Sequence, residues 1–377
     1  MRGVNDMATF QLSSRQDLED FVRGVIFLGV GGGGRGEDGL AHLNAAMDEG
    51  IPLGFTDIGD IPDEEWLCVV YGMGSIAPAE LSKEKPYGLE TKIVRRPMVE
   101  ALKALEDFAK VKIGVVAIFE PGGANSPKAL DAGMRFGAIV PDGDFCGRAV
   151  PELHQTLAAI KGISPFPMAI CDDWGHKVYL VNAPTLHSAE AIGKNISVIT
   201  KAPDPLATCA HAAYLMRMSL AKEVMVGNTM SYALKIGRAV RLAREQGKDP
   251  VSAVAKESGG EMLLKGIVKE VDWESSKGYM SGTTHIVGEN KQPYSVWFKN
   301  ENHLVLSGDK PICMSPDLIH ILDSETGEPI TNTKMQKGLN VSVLATANHP
   351  FRTSEGIKGL CPEYFGLNYP YVPFEKV

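Results

Sequence analysis

The sequence predicts an α/β protein with a mostly parallel sheet in its N-terminal domain and a second α+β domain that contains an antiparallel β module. In the first half, short and almost wholly apolar runs alternate with segments whose apolar residues have helical spacing. This pattern is typical of parallel strands covered by helices on both faces. From about Leu263 onward, strand-like runs are separated by the turn signals SSKG, GENK and SGDK. The length of 377 residues allows two to three domains, and we divide the chain into 1–168 and 169–377.

The first predicted unit is a strand, a glycine loop and a helix. Gly24–Val30 is a short apolar run, four glycines follow it, and the segment from Leu40 has apolar residues at helical spacing. Strands are then predicted at 51–58, 67–71, 111–119 and 138–140, and helices at 93–110, 126–136, 185–194, 206–221 and 229–246.

Glycines or acidic residues follow each predicted strand of the first half. Ligands of parallel sheets gather beyond the carboxyl ends of the strands, so one rim should collect a glycine cradle, several carboxylates and an amide. The segments at this rim are 31–34, 57–60, 72–75, 120–125 and 142–144.

The glycine run Gly29–Gly34 satisfies the pattern GxGxxG, and Asp57 lies about where a ribose-binding acid is expected. However, Glu37 and Asp38 would repel a pyrophosphate from the following helix N-terminus. We therefore favour a backbone-amide cradle for a smaller anion or carbonyl, and expect no NAD. A structural turn and a nicotinamide-dependent oxidoreductase remain as alternatives.

The segment PDGDFCGRAVPEL carries Asp142, Asp144, Arg148 and Glu152. Two carboxylates two residues apart can face one pocket, where their repulsion would raise one pKa and prepare a base, or where they would bind a metal. The alternative is an Asx turn with Arg148 in an ion pair. We favour the functional interpretation because the segment lies at the predicted rim.

The sequence gives no complete set of metal ligands. The turn at 172–176 offers carboxylates and an imidazole, so His176 joins Asp142 and Asp144 as a candidate ligand of a divalent metal such as zinc; a solvated turn explains it equally well. Six single cysteines without a CxxC pair argue against a disulfide framework. The late segment Asn300–Asn302 is predicted as a hairpin turn.

Charge and hydropathy restrict the partners. With 38 basic and 46 acidic side chains the net charge is −8, which disfavours nucleic acid or an anionic membrane as a partner. No apolar run approaches the ~20 residues of a membrane span and the N-terminus lacks a signal-peptide profile, so we expect a cytoplasmic protein. The sequence leaves open whether the protein forms a homo-oligomer. HExxH, GxSxG and Walker patterns are absent.

Several motifs in order resemble the S-methyl thiohydantoin desulfurase-like family from about Phe21 to Phe365. They are FLGVGGGG, GGANSPKAL, DGDFCGRAVPEL, GNTMSYALKIGRAVR, KNENHLVL, SPDLIHILDSETGEPI and GLNVSVLA. Members are often found with hydantoin-metabolising enzymes, and the named activity removes sulfur from a thiohydantoin ring to leave a hydantoin.

The resemblance implies a small hydantoin-like substrate and hydrolytic release of a thiol or sulfide. Asp142 or Asp144 would then be the base or a metal ligand, and Glu152 the complementary acid. A non-catalytic alternative is an accessory subunit of a hydantoinase-type enzyme. The residues that the resemblance assigns to substrate binding are Gly31, Gly32, Gly33, Gly34, Gly123, Asn125 and Arg148.

Overall fold

The computed structural model describes residues 9–74, 76–77 and 86–375. Its helices are α1 (Arg15–Leu28), α2 (Gly36–Asp48), α3 (Pro97–Ala109), α4 (Asn125–Phe136), α5 (Leu157–Ile160), α6 (Leu186–Lys201), α7 (Met218–Ala221), α8 (Thr229–Glu245), α9 (Pro250–Ser258) and α10 (Ser354–Leu360).

The strands form two larger sheets and two short pairs. In chain order they are β1 (Phe10–Gln11), β2 (Gly54–Phe55), β3 (Trp66–Gly72), β4 (Ile113–Ile118), β5 (Gly143–Asp144), β6 (Met168–Asp172), β7 (Lys177–Leu180), β8 (Cys209–Arg217), β9 (Val226–Gly227), β10 (Glu261–Ser276), β11 (Tyr279–Gly288), β12 (Pro293–Lys299), β13 (Glu301–Ser307), β14 (Lys310–Met314), β15 (Leu318–Asp323) and β16 (Asn340–Thr346).

The five-stranded sheet is mixed, so the prediction of a mostly parallel sheet is wrong. Its order is β4-β3-β8-β6-β7; β3 and β4 pair in parallel, and the other three neighbouring pairs are antiparallel. The central strand β8 lies inside the segment 206–221 that we predicted as a helix. Because β8 is buried along nearly its whole length, its apolar residues show no alternation, and periodicity cannot separate such a strand from a buried helix.

The predicted strand Gly24–Val30 is also wrong, because most of it is the C-terminal half of α1. The helix begins after Ser14, whose side chain accepts from the backbone N–H of Asp17 in a capping box. The apolar run alone does not reveal that the helix already begins at Arg15. The predicted strand 51–58 forms only β2 and, at Thr56, a single bridge to Pro141, and the predicted strand 138–140 forms a single bridge to β4.

The antiparallel module is confirmed as a seven-stranded sheet with the order β14-β13-β12-β11-β10-β16-β15. Burial alternates along part of β10, where Leu264, Gly266 and Val268 are buried, whereas β13, β15 and β16 are buried over most of their length. The turn signals between the strands are what predicted the module. The core of this sheet is apolar and includes Val268, Ile286, Val296, Val305 and Val343.

Close packing of α1 against α8 joins the two halves of the chain, 1–168 and 169–377. A Cβ at Gly24 of α1 would overlap the carbonyl of Ala233 in α8, and a Cβ at Gly237 would overlap that of Asp20. Glycine at both positions therefore permits the contact. The domain boundary at 168/169 stays a prediction, and the five-stranded sheet takes strands from both sides of it. Among the residues described, no helix combines the length and apolarity needed to cross a membrane.

Candidate functional site

A cavity of about 630 Å³ lies between the glycine loop, α4, α6 and the start of β13. Both halves of the chain therefore contribute to its wall. Its lining includes Gly31–Gly34, Glu120, Asn125, Glu152, Glu190, Lys194, Lys201 and Glu301.

The glycine loop connects α1 with α2 and is bound from both halves. Its carbonyl at Gly31 accepts from Asn332 N at 2.9 Å, and its carbonyl at Gly33 accepts from Ala124 N at 3.0 Å. These two glycines have positive φ angles of 99° and 75°, a backbone conformation that glycine adopts far more readily than other residues do. The loop thus lines the cavity while its carbonyls hold the halves together.

The predicted amide cradle is only partly available to a ligand. The N–H of Gly32 donates to the carbonyl of Gly29 at 2.8 Å. Because helix α1 precedes the loop, the strand, loop and helix that a dinucleotide fingerprint requires are not formed. Asp57 caps a short turn by accepting from Gly59 N and does not line the cavity.

Among the residues described, four buried carboxyl groups line the cavity: Glu120, Glu152, Glu190 and Glu301. Glu120 and Glu301 are 6% and 3% exposed. Glu120 follows β4, and its Oε2 and Oε1 accept from Val150 N at 2.7 Å and from Asn125 Nδ2 at 3.0 Å. Glu301 begins β13, and within the described ranges its Oε2 has no hydrogen-bond partner. The two carboxyls thus have different surroundings.

Burial raises the pKa of Glu120 to about 7, although the hydrogen bonds from Val150 and Asn125 oppose the shift. Burial also raises the pKa of Glu301 well above its usual range, and the neighbouring Glu120 adds to the effect. Arg148 and Lys194 oppose it. Because Glu120 has donors that favour its ionised form, Glu301 keeps its proton to higher pH than Glu120 does.

Sequence reasoning placed Glu120 at the rim but did not select it, and it missed Glu301. Asn300, with φ of 58°, makes the predicted turn between β12 and β13, and Glu301 follows it. Glu301 was not selected because it lies among turn-forming residues, which are normally exposed to solvent. The signal that could have found Glu301 is the position of NEN inside a motif that carries the family resemblance.

Glu152 also lines the cavity, where it is ion-paired. Its Oε1 lies 2.5 Å from Lys299 Nζ, and its Oε2 accepts from Tyr364 OH at 2.7 Å. Burial pushes the pKa of Glu152 upward, but these two hydrogen bonds outweigh it and lower the pKa. An ionised carboxylate is suited to hold Lys299 in place and is a poor proton donor near neutral pH.

Asp142 and Asp144 are fully buried and do not line the cavity. Asp142 Oδ1 accepts from the backbone N–H groups of Met230 and Ser231, which lie in the first turn of α8. Asp144 Oδ1 accepts from the N–H groups of Cys146 and Gly147. Burial raises the pKa of both carboxyls, that of Asp144 to about 7. Their contacts are those of a helix cap and an Asx turn.

Arg148, Gly123 and His176 do not line the cavity either. Arg148 is fully buried and donates to the carbonyls of Ala149 at 2.9 Å and Asn302 at 3.1 Å. Burial lowers its pKa to about 10, so it remains charged. Gly123 packs against the glycine loop. His176 contacts Asp172 at 2.9 Å beside β6, and it does not join Asp142 and Asp144.

In the part of the chain that the structure describes, one group has the spacing of metal ligands. Glu152, His154 and His187 each place a ligand atom within 4.8 Å of the others. Burial lowers the pKa of His154 to about 4, which keeps the imidazole neutral. Each oxygen of Glu152 already accepts one hydrogen bond, from Lys299 or Tyr364, so a metal here would share the carboxylate with these donors.

Comparisons with known proteins agree with the fold. No curated protein matches the chain. A crystal structure of a protein from Chromobacterium violaceum matches with a TM-score of 0.76 and 22% identity, covering 97% of this chain and 100% of that one. Residues 16–182 match the S-Me-THD-like N-terminal domain and residues 188–374 match the S-Me-THD-like C-terminal domain. The chain therefore belongs to the S-Me-THD-like family.

Proposed function

We propose that the protein hydrolyses the carbon–sulfur bond of a thiohydantoin or S-methyl thiohydantoin ring in the cavity. The observation that carries the proposal is that the buried carboxyls Glu120 and Glu301 line one cavity in different surroundings, with hydrogen-bond donors at both oxygens of Glu120 and none at Oε2 of Glu301 within the described residues. Hydrolysis of this ring needs both a base for water and an acid for the sulfur leaving group. Membership of the family supports a thiohydantoin-related substrate.

In this mechanism Glu120 acts as the base and Glu301 as the acid. The carboxylate of Glu120 removes a proton from water while the water oxygen bonds to the ring carbon between the two nitrogens. As water adds to the S-methyl ring, the electron pair of the carbon–nitrogen double bond moves to the ring nitrogen; it returns to re-form that bond as the carbon–sulfur bond breaks, the proton of Glu301 passes to the departing sulfur, and the hydroxyl proton moves to the ring nitrogen. In the unmethylated ring the electron pair of the carbon–sulfur double bond moves to sulfur instead, and the new hydroxyl group supplies the second proton of hydrogen sulfide. The products are a hydantoin and methanethiol, or hydrogen sulfide from the unmethylated ring. Proton transfer from Glu120 to Glu301 restores the resting pair.

Asn125 is a positioning residue in this proposal. Its Nδ2 donates to Glu120 at 3.0 Å, and its Oδ1 accepts from Gly72 N at 3.1 Å. The amide is therefore fixed at both ends and sets the orientation of the base. Lys194 adds positive charge that attracts the carboxylates of both acids.

The test is release of sulfur from a defined substrate. Purified protein is incubated with S-methyl thiohydantoin, and free thiol and hydantoin are quantified. We expect turnover by the wild type, and a decrease of about 100-fold or more in kcat for Glu120→Gln and Glu301→Gln, because each variant removes one proton-transfer group. The exposed Glu325→Gln is the matched control and should keep the wild-type rate. Absence of sulfur release by the wild type, or normal rates in both variants, would refute the proposal.

A further inference from the structure

The group Glu152, His154 and His187 brings together side chains from separate segments of the chain. Glu152 and His154 lie at the short helical turn 153–155, whereas His187 lies in the first turn of α6. One ligand atom from each residue lies within 4.8 Å of the other two. The group therefore joins the first half of the chain to a helix of the second half.

The imidazole of His154 lacks the hydrogen bonds that a largely buried ring normally makes. Its Nε2 is buried without a partner among the residues described, and its Nδ1 lies 3.6 Å from Glu152 Oε2, just beyond hydrogen-bond distance. The ring stacks on that of His187 with 4.6 Å between the centroids. Because buried polar groups are almost always satisfied, an imidazole in this state points to a bound partner.

The spacing of the ligand atoms is close to that of a tetrahedral zinc site. Zinc bonds to nitrogen and oxygen of about 2.0–2.2 Å place the ligand atoms of such a site roughly 3.4 Å apart. The distance of 3.6 Å between His154 Nδ1 and Glu152 Oε2 nearly equals this value. The side chain of His187 is exposed, so it is free to complete the site by a small rotation about its χ angles.

Tyr364 holds two of the ligands near each other. Its hydroxyl donates to Glu152 Oε2 at 2.7 Å and lies 3.4 Å from Nε2 of His187. A carboxylate oxygen has a second lone pair, so Oε2 can bind an ion and still accept from the hydroxyl. Tyr364 thus arranges the ligands without using up the carboxylate.

The charges around the group are balanced for a cation. The ammonium of Lys299, 2.5 Å from Glu152 Oε1, opposes a positive ion at this place. Glu190 compensates for it, because its carboxylate accepts from Leu153 N at 3.0 Å, directly between Glu152 and His154 in the chain. Two carboxylates therefore face one ammonium group here.

We propose that Glu152, His154 and His187 bind a zinc ion, with water as the fourth ligand. Two imidazoles and one carboxylate favour Zn²⁺ over Mg²⁺ and Ca²⁺, which prefer oxygen ligands. The ion links the segment 152–154 to α6 and stabilises this wall of the cavity. The inference is independent of the proposed function, because Glu120 and Glu301 are not among the ligands.

The test titrates Zn²⁺ into chelator-treated, full-length protein by calorimetry. We expect one zinc ion per chain with a Kd of about 1 μM or lower, and a rise in Tm of about 3 °C or more at saturation. His154→Ala and His187→Ala should each weaken binding by about 100-fold or more. The control His285→Ala, at an exposed pair with Asp272, should bind zinc like the wild type.

Two further measurements identify the coordination. Co²⁺ in place of zinc should give the visible absorption of a tetrahedral site, and this absorption should be lost in both histidine variants. Mg²⁺ at the same concentration should leave the Tm unchanged.

Three outcomes would overturn the inference. They are absence of zinc binding by the wild type, unchanged zinc affinity in both histidine variants, and an equal rise in Tm with Mg²⁺. Because His187 is exposed, His187→Ala decides the question even where His154→Ala lowers the stability of the fold. The sulfur-release assay tests the proposed function separately, whichever of these results is obtained.

Discussion

Gly32 and Gly33 are adjacent, yet different neighbours require glycine at each. A Cβ at Gly32 would overlap Oε1 of the Glu301 side chain, whereas a Cβ at Gly33 would overlap the Cα of Gly122. Gly33 also has a φ of 75°, while the φ of Gly32 is ordinary. A displaced side chain affects the chemistry of the site, and a displaced backbone affects the fold.

We therefore expect the two alanine variants to affect different properties, kcat in one and Tm in the other. Gly32→Ala should lower kcat by about 10-fold or more with a small change in Tm, because only the Glu301 carboxyl has to move. Gly33→Ala should lower the Tm by several degrees through strain at positive φ and the backbone overlap. Calorimetry and steady-state kinetics on both proteins measure the two effects.

Gly50→Ala is the control for backbone strain alone, since Gly50 has a φ of 73° and open space around it. It should lower the Tm less than Gly33→Ala does. Equal losses of Tm in these two variants would contradict the role assigned to the Gly33–Gly122 contact.

The buried carboxyl pair makes stability depend on pH. The pKa of Glu301 is raised in the folded protein. At low pH its carboxyl is protonated in both the folded and the unfolded protein. As pH rises above the unfolded pKa of about 4.5, the carboxyl ionises in the unfolded protein first, and the free energy of unfolding falls. Glu301→Gln removes that loss of stability. The variant should gain free energy of unfolding relative to the wild type between pH 5 and pH 8, by at least about 1 kcal/mol.

Urea unfolding at both pH values measures this difference. Glu325→Gln, at an exposed site, should show no such trend. A constant difference between Glu301→Gln and the wild type at pH 5 and pH 8 would show that Glu301 ionises normally in the folded protein.

At the scale of elements, Asp142 acts on helix α8. Its Oδ1 accepts from two N–H groups of the first turn, at Met230 and Ser231, which have no partners within the helix. We expect Asp142→Ala to cost about 1–2 kcal/mol of stability, and Asp142→Asn less, because asparagine retains an acceptor. Turnover of the folded fraction should change by no more than about threefold in either variant.

Denaturant unfolding together with sulfur-release kinetics tests this prediction. Asp249→Ala removes a comparable cap from α9, where Oδ1 accepts from Val251 N, and provides the matched stability control. A decrease in turnover of about 100-fold in Asp142→Asn would instead support the catalytic role that the sequence analysis gave to this aspartate.

Some elements could be predicted from the sequence because their environment is asymmetric. The helices α3, α4, α6 and α8 each bury one face, so the spacing of apolar residues predicts them, and turn signals between short apolar runs predict the antiparallel sheet. The strand β8 could not be predicted, since it is buried on both faces and its neighbours come from distant segments. Likewise, the rim hypothesis located Glu120 and Asn125, but only the fold brings Glu301 to them.

At the scale of the whole molecule, Arg148 connects the two halves. It is fully buried and donates to carbonyls of both, at Ala149 and Asn302. Arg148→Met would leave these carbonyls without their donor, so we expect the Tm to fall by at least about 4 °C. Differential scanning calorimetry measures the change. Arg244→Met, which breaks a surface pair with Glu328, should change the Tm by much less, and equal decreases would contradict the role of Arg148.

The central position of β8 has a consequence for synthesis on the ribosome. The strands β3 and β6 are both made before β8, and each pairs with it along an apolar edge. A nascent chain that ends before residue 209 therefore carries two open strand edges, which invite pairing with other chains. Although one family match ends at residue 182, the N-terminal sheet can close only after Arg217 has emerged, and a fragment cut between the two family domains should aggregate.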